Sequence, residues 1–216
     1  MSTKLRAGVF LDLDGTLTDN IDLMYSCFDE FMKSQGRSAS LEEFSEFNGV
    51  PLKLVIDELR RRYSWSPSVQ DLWLLYEDIL KQSYRSHPPR QGAVTFLEKA
   101  RELGFTLALV TSAPRGLADD WVNTQNLRSL FEFTVCAESV MEGKPSPEPY
   151  LLALERSQVT AAGSFAIEDS RNGIASASSA GLSVIQMKQE AETPQLPGAW
   201  KAVSHFSEVL ELIYEV

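Results

Sequence analysis

The acidic pair Asp12 and Asp14 is the first feature of this sequence with the chemistry of a reactive site. It follows a short apolar run and precedes Gly15 and a threonine. Side chains two positions apart on a strand point to the same side, so both carboxylates are expected at the carboxyl end of one strand. Carboxylates this close repel each other unless they share a proton or bind a divalent cation. Gly15 permits a tight turn that directs backbone N–H groups to the same place.

A hydroxyl and a lysine further along the chain are candidates for binding an anion. Ser112 and Ala113 follow a second apolar run and precede a proline. This pattern is typical of a helix start whose amides and hydroxyl can hold a phosphate. Lys144 lies between a glycine and a proline, in a proline-rich loop that restricts its backbone. Ser112 and Ala113 are therefore candidate phosphate donors, and Lys144 is the candidate for the cation that the clustered acids need nearby.

A second acidic pair, Glu168 and Asp169, follows another apolar run. If that run and the first one are neighbouring strands, these acids lie beside Asp12 and Asp14 as hard oxygen ligands. Mg²⁺ prefers such ligands, taking one or two carboxylates and keeping its other positions for water and substrate phosphate. The pattern predicts a magnesium site at the acidic ends of two parallel strands.

The elements that must position these residues are visible as apolar runs that end in small, polar or acidic residues. Runs of this kind predict buried parallel strands, because strands covered on both faces do not alternate. Their alternation with helical patterns predicts an α/β fold with a doubly wound, Rossmann-like parallel sheet. The predicted strands are Ala7–Leu13, Phe105–Thr111, Ser164–Ile167 and Leu182–Met187, with a weaker one at Phe133–Val135, and the predicted helices between them are Ala93–Leu103, Pro147–Ser157 and Gly173–Ala180.

A long segment directly after the first predicted strand breaks this alternation. It has helical periodicity throughout, with turn signals between the helices. We interpret residues 19–88 as an inserted all-helical cap on a catalytic core formed by residues 1–18 and 89–216. Such a cap is expected to act as a lid, and the alternative is that its helices simply complete one core. The helices are predicted at Asp22–Ser34, Leu41–Phe47, Leu52–Tyr63 and Val69–Tyr84.

The composition excludes several kinds of partner. The 216 residues carry a net charge of −10, which argues against binding to nucleic acid or to an anionic membrane. Cys27 and Cys136 are too few for a disulfide framework and lack metal-ligand spacing, so buried thiols in a reducing cytoplasm are expected. No run approaches the ~20 apolar residues of a membrane span, and the N-terminal segment lacks the features of a signal peptide. The oligomeric state is not predicted.

Taken in chain order, these residues resemble the four motifs of the haloacid dehalogenase-like hydrolase superfamily. The helical insertion resembles the type-one cap of its phosphoglycolate phosphatase and β-phosphoglucomutase branch, and the resemblance covers nearly the whole chain. The matching motifs are Asp12-x-Asp14-Gly-Thr, Ser112, Gly143-Lys-Pro-x-Pro-x-x-Tyr150 and Glu168-Asp-Ser-x-x-Gly-Ile-x-Ala-Ser-x-x-Ala-Gly181.

The resemblance implies a phosphatase that works through an aspartyl-phosphate. Asp12 would be the nucleophile that attacks the substrate phosphorus. Asp14 would protonate the leaving oxygen and afterwards activate water. Ser112 and Lys144 would hold the transferring oxygens, with Gly15 and Ala113 as further phosphate-binding residues, and Lys144 would also offset the negative charge of Asp12.

The resemblance also implies Mg²⁺ as the cofactor. The Asp12 side chain, the Asp14 backbone carbonyl and Asp169 would hold the ion, with Glu168 close by or bound through water. The ion would screen the nucleophile from the phosphate, because the two anions otherwise repel each other.

Single residues distinguish several alternatives within the superfamily. Dehalogenation needs no second acid, so Asp14 favours phosphoryl transfer. A β-phosphoglucomutase-type phosphomutase would use cap cations and a histidine shortly after the first motif. Here Met24 stands where the histidine is expected, and Lys53 is the only cation of the corresponding cap stretch. Lys53 is also the only candidate for the Schiff-base lysine of a phosphonatase.

An alternative from another class is a catalytically silent binding or regulatory domain, such as a receiver domain. Receiver domains lack both the large helical cap and the Asp-x-Asp-Gly-Thr run, and no motif residue has been lost here. The prediction is therefore hydrolysis of a small-molecule phosphomonoester, with sugar phosphate, phosphoglycolate and nucleotide as candidate substrates in that order. Asn48 and Lys53 are the candidate substrate-binding residues of the cap.

Overall fold

A parallel β-sheet is the framework for the residues singled out by the sequence. The structure is a computed structural model that describes residues 7–47, 49–85, 87–190 and 192–214. Within these residues the sheet has six strands, all parallel, in the order β3-β2-β1-β4-β5-β6. The strands are β1 (Gly8–Leu11), β2 (Thr106–Val110), β3 (Phe133–Val135), β4 (Phe165–Glu168), β5 (Ser183–Met187) and β6 (Lys201–Val203).

Helices cover both faces of this sheet, which is why its central strands are buried along their whole length and largely apolar. On one face Phe96, Trp121 and Phe206 belong to one buried cluster, and on the other Tyr150 and Ile174 belong to a second. The helices that supply these residues are α5 (Ala93–Glu102), α6 (Arg115–Thr124), α7 (Glu148–Ser157), α8 (Arg171–Ser179) and α9 (Phe206–Tyr214), numbered after the four helices described below. The predicted α/β fold with a doubly wound parallel sheet is confirmed.

The register of the central strands brings their carboxyl ends together. Leu11 of β1 pairs with Leu109 of β2 on one side and with Ile167 of β4 on the other. The side chains that follow these three strands therefore lie at one edge of the sheet, where α/β folds bind their ligands. The prediction that the two acidic pairs meet depended on β1 and β4 being neighbours, and they are.

The predicted and observed elements differ at the ends of strands and near the C-terminus. The first strand was predicted as Ala7–Leu13 but ends at Leu11, because the chain turns away into the acidic motif. β6 was not predicted, since three residues at the sheet edge with an exposed lysine give no readable pattern. The following helix α9 was also missed.

Four helices between β1 and α5 form a third hydrophobic cluster apart from the sheet. Phe28, Phe31, Ile56 and Leu59 are buried in it, and the ring of Phe31 stacks on that of Tyr76 with centroids 4.6 Å apart. The helices are α1 (Ile21–Ser34), α2 (Leu41–Phe47), α3 (Leu52–Tyr63) and α4 (Val69–Tyr84). These helices pack mainly against one another, and the buried part of the cluster includes one residue from the sheet layer, Leu117 of α6.

The two connections between these helices and the sheet run side by side. Thr18 and Pro89 form an antiparallel bridge, and the backbone N–H of Arg90 donates to the carbonyl of Leu17 at 2.7 Å. The Arg90 guanidinium also donates to the Gly15 carbonyl at 2.9 Å and to Asp19 at 2.8 Å. The second connection is thereby tied to the turn that follows β1.

Candidate active site

The turn after β1 fixes the position of the first acidic pair. The backbone N–H of Asp12 donates to the Ile167 carbonyl at 3.0 Å, which continues the β1–β4 ladder by one residue. Gly15 has a φ of 77°, and a Cβ at this position would overlap the carboxylate of Asp169. A side chain at Gly15 is therefore excluded both by the backbone conformation and by the second acidic pair.

Lys144 joins the two acidic pairs through its ammonium group. Its Nζ lies 2.6 Å from Oδ1 of Asp12, 2.5 Å from Oε1 of Glu168 and 2.9 Å from the carbonyl oxygen of Val110. These three acceptors account for all three N–H donors of the ammonium. The side chain is 1% exposed, and burial alone would lower its pKa. The carboxylates of Asp12 and Glu168 outweigh burial and raise the pKa of Lys144, so the lysine stays charged.

Glu168 is the most enclosed of the acids. It is fully buried, and it accepts a hydrogen bond from the Tyr150 hydroxyl at 2.7 Å in addition to that from Lys144. Gly173 in the first turn of α8 faces it, and a Cβ there would overlap the Glu168 carboxylate. Tyr150 lies in the same sequence motif as Lys144. Its spacing from Lys144 in that motif was the available signal.

Three carboxylates form a set of oxygen atoms suited to a divalent cation. One oxygen each from Asp12, Glu168 and Asp169 lies within 4.8 Å of the others. Burial raises the pKa of Asp12 well above its ordinary value, and the ammonium of Lys144 lowers it only in part. Glu168 and Asp169 add further negative charge. A hard divalent cation would compensate this excess, and the donor set fits Mg²⁺. The Asp14 side chain lies outside this set, so only its backbone carbonyl remains a candidate ligand.

The carboxylate of Asp14 is held by two side chains instead. The amide of Asn20 donates to its Oδ1 at 2.6 Å, and the hydroxyl of Tyr84 donates to the same oxygen at 2.7 Å. Burial raises the pKa of Asp14, while the hydrogen bonds from Asn20 and Tyr84 lower it. A raised pKa favours the protonated form that a general acid needs. Neither partner was predicted, and for Tyr84, 70 positions away, no sequence signal pointed to Asp14.

Each of the predicted phosphate-binding donors has a protein acceptor in this structure. The Ser112 hydroxyl donates to the Gly49 carbonyl at 2.7 Å, and the Ala113 N–H donates to the Thr111 hydroxyl at 3.0 Å. The Gly15 N–H donates to the Asn20 side chain at 3.1 Å. All of them lie near the acids, but a phosphate would replace one or more of these contacts, so their role remains a prediction.

Unlike the predicted residues of the core, the two candidate residues of the cap are not seen at the acidic site. Lys53 is exposed near the start of α3 and does not line the cavity described below. Asn48 lies outside the described residues. The neighbouring Gly49 faces the core instead, where its carbonyl meets Ser112. Pro51 packs against Gly143, the residue before Lys144.

A cavity of about 100 Å³ lies between the cap helices and the acidic edge of the sheet. Asp12, Asp14 and Ser112 contribute to its core side. Its cap side is largely apolar and includes Met24, Phe28, Phe44, Phe47, Val55 and Leu80. Among the residues that the structure describes, no lysine, arginine or histidine lines this cavity.

The family of the chain follows from this geometry together with a match to a family model. The model of the haloacid dehalogenase-like hydrolases matches residues 9–187, which include all four motifs. The chain belongs to the haloacid dehalogenase-like hydrolases. The predicted superfamily is thus confirmed.

Individual relatives agree with this placement in the haloacid dehalogenase-like hydrolases. The chain is 28% identical to a phosphorylated carbohydrates phosphatase of Thermotoga maritima over 81% of each chain. It is 23% identical to phosphoglycolate phosphatase 1 of Pseudomonas aeruginosa, over 84% of this chain and 69% of that one. The crystal structure of CbbY from Rhodobacter sphaeroides in complex with phosphate has the same fold, with a TM-score of 0.82, 24% identity and coverage of 95% and 96%. The predicted enzyme class, a phosphatase of this family, is confirmed.

A membrane-spanning helix is absent from the described part of this hydrolase. None of its helices there is both long enough and apolar enough to cross a bilayer.

Proposed function

We propose that this chain is a Mg²⁺-dependent phosphatase that hydrolyses a small phosphomonoester through an aspartyl-phosphate on Asp12. The observation that carries the proposal is the position of Asp12. Its carboxylate receives a hydrogen bond from the buried ammonium of Lys144 at 2.6 Å and lies within 4.8 Å of two further acids. An anionic nucleophile can approach an anionic phosphate only where cations compensate both charges.

The first half-reaction transfers the phosphoryl group to the protein. An oxygen of Asp12 forms a bond to phosphorus, and the bond between phosphorus and the leaving oxygen breaks. Asp14 donates its proton to that leaving oxygen, so the alcohol departs neutral. The raised pKa of Asp14 and its two hydrogen bonds keep a protonated carboxyl oriented for this step.

The second half-reaction returns the protein to its starting state. The carboxylate of Asp14 takes a proton from water, and the water oxygen forms a bond to the phosphorus of the aspartyl-phosphate. The bond between phosphorus and Asp12 breaks, which releases inorganic phosphate. When bound, Mg²⁺ supplies charge stabilisation for the transferring oxygens, and Asp12, Asp169, Glu168 and the Asp14 carbonyl would hold it.

Residues 19–88 are proposed to act as a lid over a core formed by residues 1–18 and 89–216. The separate hydrophobic cluster of α1 to α4 supports this division, as do the paired connections at Thr18 and Pro89. The contacts from Ser112 to Gly49 and from Gly143 to Pro51 hold the lid against the core. Opening would admit substrate and water, and closure would exclude bulk water during transfer.

Hydrolysis is favoured over the phosphomutase alternative by the lining of the cavity. A phosphomutase must grip a second phosphate while the first is transferred. The described residues around the cavity include no lysine, arginine or histidine for that purpose.

The proposal is tested by Mg²⁺-dependent turnover of 4-nitrophenyl phosphate and of a panel that includes sugar phosphates and phosphoglycolate, the classes named by the relatives. In single-turnover experiments, a substrate that is radiolabelled in its phosphoryl group should transfer the label to the protein, where the aspartyl-phosphate is stable in acid. Asp12→Asn should abolish both turnover and labelling, whereas Asp57→Asn, an exposed acid of α3, should change neither. Turnover that persists in Asp12→Asn would contradict the proposal.

A further inference from the structure

We propose that the leaving group of the substrate is small, uncharged and largely apolar. This inference rests on the proposed phosphatase activity. It concerns the alcohol part of the phosphomonoester, which the phosphoryl-transfer mechanism does not specify. The same cavity is lined by Asp12, Asp14 and the cap side chains, so the group bonded to the transferring phosphate extends directly onto the cap wall.

The cap wall is built from the hydrophobic cluster of the cap itself. Phe28, Val55 and Leu80 are buried members of that cluster, and Phe44 and Phe47 are half-buried against it. Binding is favoured when the carbon surface of a ligand displaces water from an apolar wall. Hydroxyl groups of a polyol placed against this wall would lose hydrogen bonds to water and find few partners.

The charges around the cavity disfavour a second anionic group. Lys144 lies beneath Asp12 with its three donors already directed at Asp12, Glu168 and Val110. Since no lysine, arginine or histidine lines the cavity within the described residues, a carboxylate or second phosphate on the leaving group would be desolvated without a partner. That cost is high in a site already rich in carboxylates.

Two tyrosines of α4 bring hydroxyl groups to the cavity, and that of Tyr84 already donates to Asp14, which leaves Tyr76 as the polar position on the cap wall. It lines the cavity and is 4% exposed, and among the described residues its hydroxyl has no hydrogen-bond partner. Such a hydroxyl can accept or donate one hydrogen bond to a ligand. The wall therefore has a place for one polar atom, such as a single hydroxyl on an otherwise apolar chain.

The volume of the cavity limits the size of the leaving group. About 100 Å³ is less than the roughly 150 Å³ cavity that holds a benzene molecule. This space suits a chain of a few carbon atoms and is too small for a hexose ring with the lid in this position.

The test compares three phosphomonoesters that share a primary alkoxide leaving group of four carbons. They are n-butyl phosphate, 4-hydroxybutyl phosphate and 3-carboxypropyl phosphate, each assayed with the Mg²⁺-loaded full chain. We expect kcat/KM for the butyl ester to exceed that for the carboxypropyl ester by at least about tenfold. A carboxypropyl ester that is turned over as well as the butyl ester, or better, would overturn the inference.

Two variants test the individual parts of the wall. Leu52→Arg places a cation in the cavity lining and should raise kcat/KM for the carboxypropyl ester relative to the butyl ester by about tenfold. Leu54→Arg, the same change at an exposed position of the same helix, should leave this ratio unchanged. Tyr76→Phe should lower the ratio of hydroxybutyl to butyl turnover by about threefold or more. An unchanged ratio in Tyr76→Phe would overturn the assignment of the polar position.

The outcomes distinguish this inference from the function on which it rests. A folded protein that hydrolyses neither 4-nitrophenyl phosphate nor any of the three esters would overturn both proposals. Hydrolysis of 4-nitrophenyl phosphate together with preference for the carboxypropyl ester would overturn the apolar leaving group alone. The comparison of the butyl and carboxypropyl esters on the unmodified protein tests the apolar leaving group even if a variant fails to fold.

Discussion

The phenolic oxygen of Tyr84 lies 2.7 Å from Oδ1 of Asp14, so the last residue of α4 holds the proposed general acid of the core. The two residues are 70 positions apart, and Tyr84 is 2% exposed. α4 is the helix that leads back from the cap to the sheet. Any movement of the proposed lid about that connection would therefore act on the carboxyl group that is proposed to donate and accept the proton.

Replacing Tyr84 by phenylalanine should slow the reaction and shift its pH profile. The hydrogen bond from Tyr84 lowers the pKa of Asp14, so its removal raises that pKa further above the ordinary value. The acid form that protonates the leaving oxygen then persists to higher pH, and the basic limb of kcat/KM should move to higher pH. At its optimum kcat/KM should fall about tenfold, as for the loss of one hydrogen bond to a charged group.

The matched control for this prediction is Tyr25→Phe, which removes a hydroxyl that bonds the Ala39 carbonyl within the cap. It should leave the pH profile unchanged. A basic limb in Tyr84→Phe that stays in place or moves to lower pH would contradict the proposed role of Tyr84.

Replacing Lys144 by methionine should destabilise the fold. The change leaves Asp12 and Glu168 facing each other in a buried site without their shared cation. Removing one partner of a buried ion pair typically costs about 3–5 kcal/mol, and urea unfolding would measure the loss. Lys99→Met removes a lysine of an exposed pair with Glu102 and should cost little. Equal stabilities of the two variants would refute this account.

Mg²⁺ should stabilise the protein through the acidic cluster. A ligand that binds only the folded state stabilises it by RT ln(1 + L/Kd) at ligand concentration L, so the melting temperature should rise with the Mg²⁺ concentration. The magnesium-dependent rise should be lost in Asp169→Asn and retained in Glu102→Gln, whose acid lies on the surface of α5. If Asp169→Asn responded to Mg²⁺ like the unmodified protein, the ion would have to bind elsewhere.

A disulfide between the cap and the core should stop turnover reversibly. A Cβ built at Gly143 lies 3.7 Å from Cβ of Pro51, within the range of natural disulfides. The oxidised double variant Pro51→Cys, Gly143→Cys should lose at least about tenfold in kcat, because the lid can no longer open for substrate and product. Reduction with dithiothreitol should restore the rate.

The two native cysteines should not interfere with this experiment. Cys27 and Cys136 are buried, and burial raises the pKa of both thiols, that of Cys136 to about 12. Little reactive thiolate is then present at neutral pH. The single variants Pro51→Cys and Gly143→Cys serve as controls. Full turnover in the oxidised double variant would mean that lid opening is not required.

The residues that follow the strands were readable from the sequence, because each lies in a short local pattern. Asp12 and Asp14 follow an apolar run, Lys144 lies in a proline-rich loop, and Glu168 and Asp169 end another run. Parallel strands bring their carboxyl ends to one edge, so the local patterns were enough to predict at which edge these residues lie. That the two acidic pairs meet depended also on β1 and β4 being neighbours, which the strand order decided. The four cap helices were readable for a similar reason, since their apolar positions repeat with helical spacing.

Contacts between distant segments were decided only by the tertiary structure. Neither the hydrogen bond from Tyr84 to Asp14 nor that from Ser112 to Gly49 leaves a pattern in the sequence, because each depends on how the cap is seated. The lining of the cavity has the same origin, since cap helices face inward with side chains that their periodicity marks only as buried. The sequence by itself determined the phosphoryl-transfer chemistry of this protein. The packing of the cap helices against the sheet decided the lining of the cavity, from which the proposed leaving group is inferred.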